Sequence, residues 1–401
     1  MFYNLFVNKN QNVKYEYERY VQENLEEHYT NRLKQWKILL NLNWHYRIKK
    51  SNKPLLYWDN YQIQQQNKIN SSNLDMKQND TMFDSHDTIN DVYVGSLKPA
   101  SEIYENIMSE YTYKDCKLFL CPYAGTGDVY LVCLYIKQFA KKNNINHYVL
   151  AVIGQANYKV AKLFEIQNII KISQEEADKL TYLYMAICDE FKDIVLLHHD
   201  PIQNYCGILE NFRNVNNTNF MDMYIYNVFK GLTIQDKILP KFNYESKRIK
   251  DLIFKHRIEE GNTVVLSPYV NTLPPIPWWV WRQLAERLKM HGYMVCTNCG
   301  SPTEKAIEGT IPLHFDYDIS VPILEKCGYF VGIRSGFCDI ISSAKCKKII
   351  VYQPYIFWGE GDNLDYFSLN INGFCNDAIE IEYEGIQFTK LIDDIVQNIE
   401  R

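Results

Sequence analysis

Several features are missing from this chain, and their absence narrows what it can be. No apolar run approaches the ~18 residues that a membrane-crossing helix needs, so no transmembrane segment is expected. The opening Met1-Phe2-Tyr3-Asn4 leads into polar residues instead of a basic start and an apolar stretch, so no secretory leader and a cytoplasmic location are expected. Dense clusters of Lys and Arg are absent, and the formal net charge is -5, which excludes nucleic acid as an expected partner. The short group Arg47, Lys49, Lys50 and Lys53 reads as a solvated helix end. Disulfide-type cysteine spacing is also lacking. The 11 cysteines are scattered, mostly inside apolar segments such as Val132-Cys133-Leu134, as reduced and buried thiols are.

What is present is enough apolar residue, 46%, to build cores in a chain of 401 residues, a length that favours two domains over one. Tyr17, Val21, Leu25, Tyr29, Leu33, Trp36 and Leu40 recur every three or four positions, which predicts a long helix over 13–50 within a helical extension, 1–60. Its apolar stripe must be covered, either by the body of the chain or by a second copy or partner subunit. Residues 61–112 are rich in Gln, Asn, Ser and Asp at first and read as a polar linker. From Lys117 onward, short apolar strands alternate with helical patterns, then a second such series opens at Thr263. The fold class this predicts is α/β. Two Rossmann-like domains, 113–258 and 259–401, would face each other across a cleft. The last helix, 387–400, either completes the second domain or returns to the first.

Two strand-to-helix corners carry the strongest chemistry. Gly125-Thr126-Gly127-Asp128 places glycines where the backbone turns and where a helix start favours negative charge. No third glycine follows at dinucleotide spacing. Asp128 would serve there as a dipole-facing helix-start acid, or as a carboxylate at the cleft mouth able to take a proton from an attacking hydroxyl. Arg334-Ser335-Gly336 would form an anion site, with Arg334 as a charged fork, or a plain helix cap with Arg334 at the surface. Ser267 and Tyr269 close the strand Val264-Val265-Leu266 with a small hydroxyl residue and a turn.

The order of these motifs resembles the heptosyltransferase-type GT-B glycosyltransferases. The resemblance covers roughly 118–354 and rests on Gly-Thr-Gly-Asp before a helix, Val-Val-Leu-Ser-Pro opening the second domain, Trp-Arg-Gln-Leu-Ala-Glu-Arg-Leu, Gly-Tyr-Met-Val, Cys-Gly-Ser-Pro-Thr-Glu, and the late loop Gly-Ile-Arg-Ser-Gly. It implies transfer of a sugar from a nucleotide-sugar donor to a glycan or protein acceptor, inverting and metal-independent, with no cofactor. Asp128 would be the base. Gly125, Thr126, Gly127, Ser267, Tyr269, Asn298, Arg334, Ser335 and Gly336 would hold the donor. Two positions depart from the family pattern. Pro274-Pro275-Ile276-Pro277 stands where a lysine precedes the tryptophan, and Arg-Ser-Gly-Phe-Cys replaces an Asp-Thr-Gly loop.

Other residues point less sharply. His199 and Asp200 end a strand on the cleft side and are candidates for touching the acceptor, though loop residues there are commonly just satisfied by neighbours. Cys296 and Cys299 form a CxxC pair, but the further Cys338 and Cys346 do not supply the second knuckle of a structural metal site. Asp316 and Asp318 have Asp-x-Asp spacing but precede a second-domain helix, so no metal is assigned. Trp278, Trp279 and Trp281 would stack on a sugar or base, or seal a helix against the sheet. A non-catalytic GT-B-like binding or scaffold subunit is the competing class. A dehydrogenase is disfavoured by the spacing of the first glycine loop.

Overall fold

The computed structural model describes residues 98–113, 115–187, 193–198, 219–270, 275–301, 303–353, 363–383 and 387–401. The expected N-terminal extension, 1–60, and residues 61–97 lie outside the described residues.

The first domain runs α1 (Lys98–Ser109), β1 (Lys117–Cys121), α2 (Thr126–Lys142), β2 (Tyr148–Ile153), α3 (Gly154–Lys162), β3 (Ile169–Ile172), α4 (Gln174–Ile187) and β4 (Ile194–Leu196). Its parallel strands lie in the order β3-β2-β1-β4. Alternate residues of each strand serve opposite faces. Leu118, Leu120, Val149 and Ala151 meet α1 and α4, whereas Phe119, Cys121, Leu150 and Val152 meet α2 and α3. Both faces are therefore covered, and the strands read as nearly unbroken apolar runs. Residues 98–109, expected within the polar linker, instead form α1. Ala100, Ile103, Tyr104 and Ile107 give it an apolar stripe that packs on the sheet's outer helix layer.

α5 (Phe220–Asn227) and α6 (Lys247–His256) lead into the second domain. That domain contains β5 (Thr263–Ser267), α7 (Trp278–Met290), β6 (Met294–Asn298), β7 (Ile311–Leu313), α8 (Tyr317–Cys327), β8 (Gly328–Ile333), α9 (Gly336–Ile340), β9 (Lys347–Tyr352), α10 (Asn363–Phe367), β10 (Ile379–Glu382) and α11 (Phe388–Glu400). The strand order is β10-β9-β8-β5-β6-β7, all parallel, which is the 3-2-1-4-5-6 winding of a complete Rossmann sheet read from its other edge. α7 ends as its sequence suggests, with Gly292 at φ 86° just past its C-cap. α9 ends at Ile340, where the backbone tightens into i→i+3 turns at Ser342 and Ala344.

α11 remains with the second domain. Leu391, Ile392, Ile395, Val396 and Ile399 are buried against the layer formed with α7, each contributing about 1.5–3 kcal/mol of transfer free energy. Trp279 meets Phe388 edge-on at 5.1 Å, so that tryptophan seals helix to helix. The other face of this sheet joins a different cluster. Val265, Phe330, Ile350 and Tyr352 share one continuous core with Phe119, Leu131 and Tyr135 of the first domain. The two domains are thus welded along one edge by apolar packing, with Tyr130 and Phe374 rings 6.2 Å apart across it.

In each sheet the strand order reverses once, between β1 and β4 and between β5 and β8. Loops that leave neighbouring strands in opposite directions open a crevice at that point. The loops after β1, β5 and β8 all reach the cleft between the domains.

Candidate active site

The cleft encloses a cavity of about 640 Å³, a size suited to a small-molecule substrate. It is lined by residues 125–128 from the first domain and by Ser267, Tyr269, Asn298 and residues 334–336 from the second, so the expected base and donor-site residues converge on one space. His198 also lines it, stacked on Tyr123 at 4.7 Å. The expected acceptor contacts His199 and Asp200 lie outside the described residues.

The first corner is built around Asp128. Gly125 is the N-cap of α2 in extended conformation, and Asp128 stands in the helix's first turn. A Cβ at Gly125 would sit 2.7 Å from Asp128 Oδ2, so glycine there makes room for the carboxylate. The Tyr224 hydroxyl, from α5, donates to Asp128 Oδ1 at 2.8 Å. Burial pushes the Asp128 pKa up from the usual 3.8 to about 6. The Tyr224 hydrogen bond opposes that rise, Asp339 adds to it, and Asp128's own N–H and the Arg334 guanidinium draw it back.

The second corner is finished differently from the expectation. Arg334 reaches the cavity wall, but its guanidinium is turned inward. Nε donates to Phe367 O at 2.8 Å, Nη1 to Ser335 O at 2.7 Å and to Asp339 Oδ2 at 3.2 Å, and Nη2 lies 2.7 Å from Asp339 Oδ1. Nε and Nη1 thus carry three hydrogen bonds, and Nη2 makes the ion pair with Asp339 Oδ1. Burial pushes the Asp339 carboxyl up, and the adjacent guanidinium pulls it back toward the ion pair. Arg334 is therefore not the open diphosphate fork that the sequence suggests. Its partner sits five residues along the chain, across the strand-to-helix turn.

The glycines of the two corners also have a role the sequence did not disclose. A Cβ on Gly127 would lie 2.6 Å from Asp339 Oδ2 and 3.0 Å from the Gly336 Cα, and one on Gly336 would fall on the Gly127 nitrogen. The glycines let the starts of α2 and α9 touch, which sets the positive end of α2 against the corner after β8 at the cavity.

Ser267 and Asn298 end adjacent strands, and Asn298 Nδ2 donates to Ser267 Oγ at 3.2 Å. Tyr269 donates to Lys305 O at 2.6 Å and its ring lies 5.8 Å from that of Trp278. Lys159, on α3, lines the cavity and pairs across the cleft with Asp316 at 2.5 Å, where Arg248 also reaches Asp316 at 3.3 Å. Lys159, Tyr224 and Asp339 were not singled out from the sequence. Lys159 had one usable signal: it follows β2 on the first helix after a strand's cleft end, as Asp128 does after β1. Cys296, Cys299, Cys338 and Cys346 are free, buried thiols. Among the described residues no group of three or more His, Cys, Asp or Glu side chains is placed to hold a metal.

No family model matches this chain, and no curated protein matches it in sequence. Solved structures similar to it include an ADP-heptose lipopolysaccharide heptosyltransferase II of E. coli, at 14% identity over 71% of this chain and 98% of that one, with a TM-score of 0.47. A glycosyl transferase family 9 protein from Veillonella parvula follows at 12% identity, over 71% and 96%, with a TM-score of 0.45. The iron-containing dodecameric glycosyltransferase TibC of enterotoxigenic E. coli is similar at 12% identity, over 72% and 77%, with a TM-score of 0.39. What the site can do follows from its own geometry.

Proposed function

We propose that this protein is a glycosyltransferase that moves a sugar from a nucleotide-sugar donor to a hydroxyl of a glycan or protein acceptor. The observation that carries the reading is Asp128. It is a half-buried carboxylate with its pKa raised to about 6, at a helix start in a cleft between two nucleotide-binding folds. A base poised just below neutrality is largely ionised at pH 7 yet still basic enough to accept a proton in the transition state. The donor lies against the second domain, its nucleoside near Ser267, Tyr269 and Asn298. Its diphosphate reaches the start of α2 and the corner after β8, where Thr126 and Ser335 stand and Lys159 is within the same cavity.

In the reaction, the acceptor oxygen attacks the anomeric carbon from the side of Asp128 while the bond from that carbon to the diphosphate oxygen breaks. The acceptor proton passes to Asp128, the nucleoside diphosphate leaves with the bonding pair, and the anomeric centre inverts. Charge on the leaving group is met by fixed hydrogen-bond donors and the start of α2, and this supports a metal-independent, cofactor-free mechanism. Dependence on a soluble nucleotide sugar fits a cytoplasmic location. Among the described residues no helix is long and apolar enough to cross a membrane.

One observation favours the competing reading of a binding or scaffold subunit: Arg334 is committed to Asp339 instead of reaching for a diphosphate. The same experiment separates the two. Purified protein is screened by thermal shift with UDP-, GDP-, ADP- and dTDP-linked sugars, then assayed for nucleoside diphosphate release with and without added chelator. A ligand at a hundred times its Kd should add about 2.7 kcal/mol of stability. Stabilisation with no release under any condition would leave binding and remove catalysis. Release abolished by chelator would remove metal independence.

A further inference from the structure

α5, the helix that carries Tyr224, is held by both domains. At its start, Met221 N donates to Asn372 Oδ1 of the second domain at 2.6 Å. Asn372 is fully buried, and its amide donates to Tyr366 O and Ser368 O, each at 2.8 Å, so its side chain cannot turn away without leaving buried groups unpaired. Phe220, in the same turn, packs on Tyr366 and Phe367 at 5.6 and 5.1 Å. A capping box between Asn219 and Asp222 fixes that end of the helix. At its other end the chain docks on the first domain, where Phe229 meets Tyr135 and Phe139 of α2 at 5.4 and 5.6 Å. Midway along, the Tyr224 hydroxyl ends on Asp128. The helix is a strut with one foot on each domain and the carboxylate's hydrogen-bond donor between them.

Building on the glycosyltransferase reading, we infer that Tyr224 is the positioning residue of Asp128, and that α5 ties the aim of that carboxylate to the docking of the second domain through Asn372. The phenol fixes which way the carboxylate faces, and its donation favours the ionised form that can accept a proton. Asp339 and Arg334 face Asp128 from the other corner with opposite charges, Cys121 faces it from β1, and Tyr123 lies 5.9 Å from the Tyr224 ring, so Tyr224 supplies the neutral donor to Asp128 Oδ1. Loss of the Asn372 anchor would release the start of α5 and let the phenol drift from Asp128. The base is then competent when the donor-holding domain is seated.

The test is the pH at which Asp128 titrates, read in two ways. The first is the acid limb of kcat/KM for nucleoside diphosphate release. The second needs no activity: the Tm difference, across pH, between each protein and its own Asp128→Asn derivative. A hydrogen bond to a charged group corresponds to a shift of about one to two pH units. Tyr224→Phe should move the midpoint up by that much. Asn372→Ala should move it the same way by less. Tyr224 replaced by 3-fluorotyrosine keeps the shape, donates more strongly and should move it down, which serves where the phenylalanine variant folds poorly. Tyr135→Phe deletes another buried hydroxyl of the same core, one without a hydrogen-bond partner, and should leave the midpoint in place. A folded Tyr224→Phe or fluorotyrosine protein with the original midpoint would overturn the positioning role. An unmoved midpoint in Asn372→Ala would overturn the tie to the second domain. If no donor is turned over by the unaltered protein, the catalytic reading fails while the Tm readout still decides this one.

Discussion

The corner after β1 and the corner after β8 start from the same plan. Each leaves a strand where its sheet reverses, turns on glycine and small hydroxyl residues, and begins a helix with an aspartate near its start, Asp128 in one and Asp339 in the other. They differ in what the preceding strand delivers. β8 hands its corner Arg334, and Asp339 is neutralised by a guanidinium at 2.7 Å. β1 hands its corner no cation, and Asp128 is met by a phenol from another helix. The first arrangement gives a buried ion pair that closes the corner on itself. The second leaves a carboxylate whose charge is still available to a substrate. Local sequence sets where an acid stands, and its neighbours decide whether it is structural or reactive.

That contrast can be broken most forcefully by turnover. Asp128→Asn should lower nucleoside diphosphate release by about 10²–10⁴-fold, with donor binding by thermal shift retained. Near-normal turnover would remove it from the base role. Asp339→Asn should instead act on stability, costing about 3–5 kcal/mol in denaturant unfolding because a buried guanidinium loses its partner. If Asp339→Asn kept full stability and lost turnover as Asp128→Asn does, the two assignments would have to be exchanged.

A smaller effect sharpens the same comparison with pH. The folded pKa of Asp128 is raised, so its ionisation opposes folding. The cost is absent below about pH 4, grows as pH rises toward 6, and is complete above it. Asp128→Asn should therefore melt higher than the unaltered protein above pH 6, by at most on the order of 3 kcal/mol, with no advantage near pH 4. Catalysis should follow the opposite sense, rising through about pH 6 as the carboxylate forms. The least drastic changes concern the glycines. Gly336→Ala should cost about 1–3 kcal/mol, since its methyl would fall on backbone. Gly125→Ala should cost less in stability, because it meets only the Asp128 side chain, though it would turn that carboxylate and reduce turnover.

The sequence made the alternation of strand and helix readable because parallel strands buried on both faces appear as short apolar runs, such as Val264-Val265-Leu266, punctuated by glycine. Asp128 was readable for the same reason, standing beside that punctuation. α1 was not, since its stripe of Ala100, Ile103, Tyr104 and Ile107 sits at the end of a polar stretch whose composition dominated the reading. Tyr224 was hidden by distance: its bond to Asp128 spans 96 positions and lies in a helix without a motif. The pairing of Arg334 with Asp339 was not legible, because a motif shows which donors exist and not which acceptors already hold them. Asp339 stands just past that motif, but only a folded turn brings it back onto the arginine.

The apolar weld between the domains has a consequence for how the molecule comes apart. Tyr130 and Phe220 would lose their packing on Phe374, Tyr366 and Phe367 if the first half were expressed by itself. The described body should therefore melt as a single cooperative unit, with one calorimetric peak in place of two. Splitting the gene between β4 and β5 should yield two aggregating fragments, each regaining order only when its counterpart is supplied.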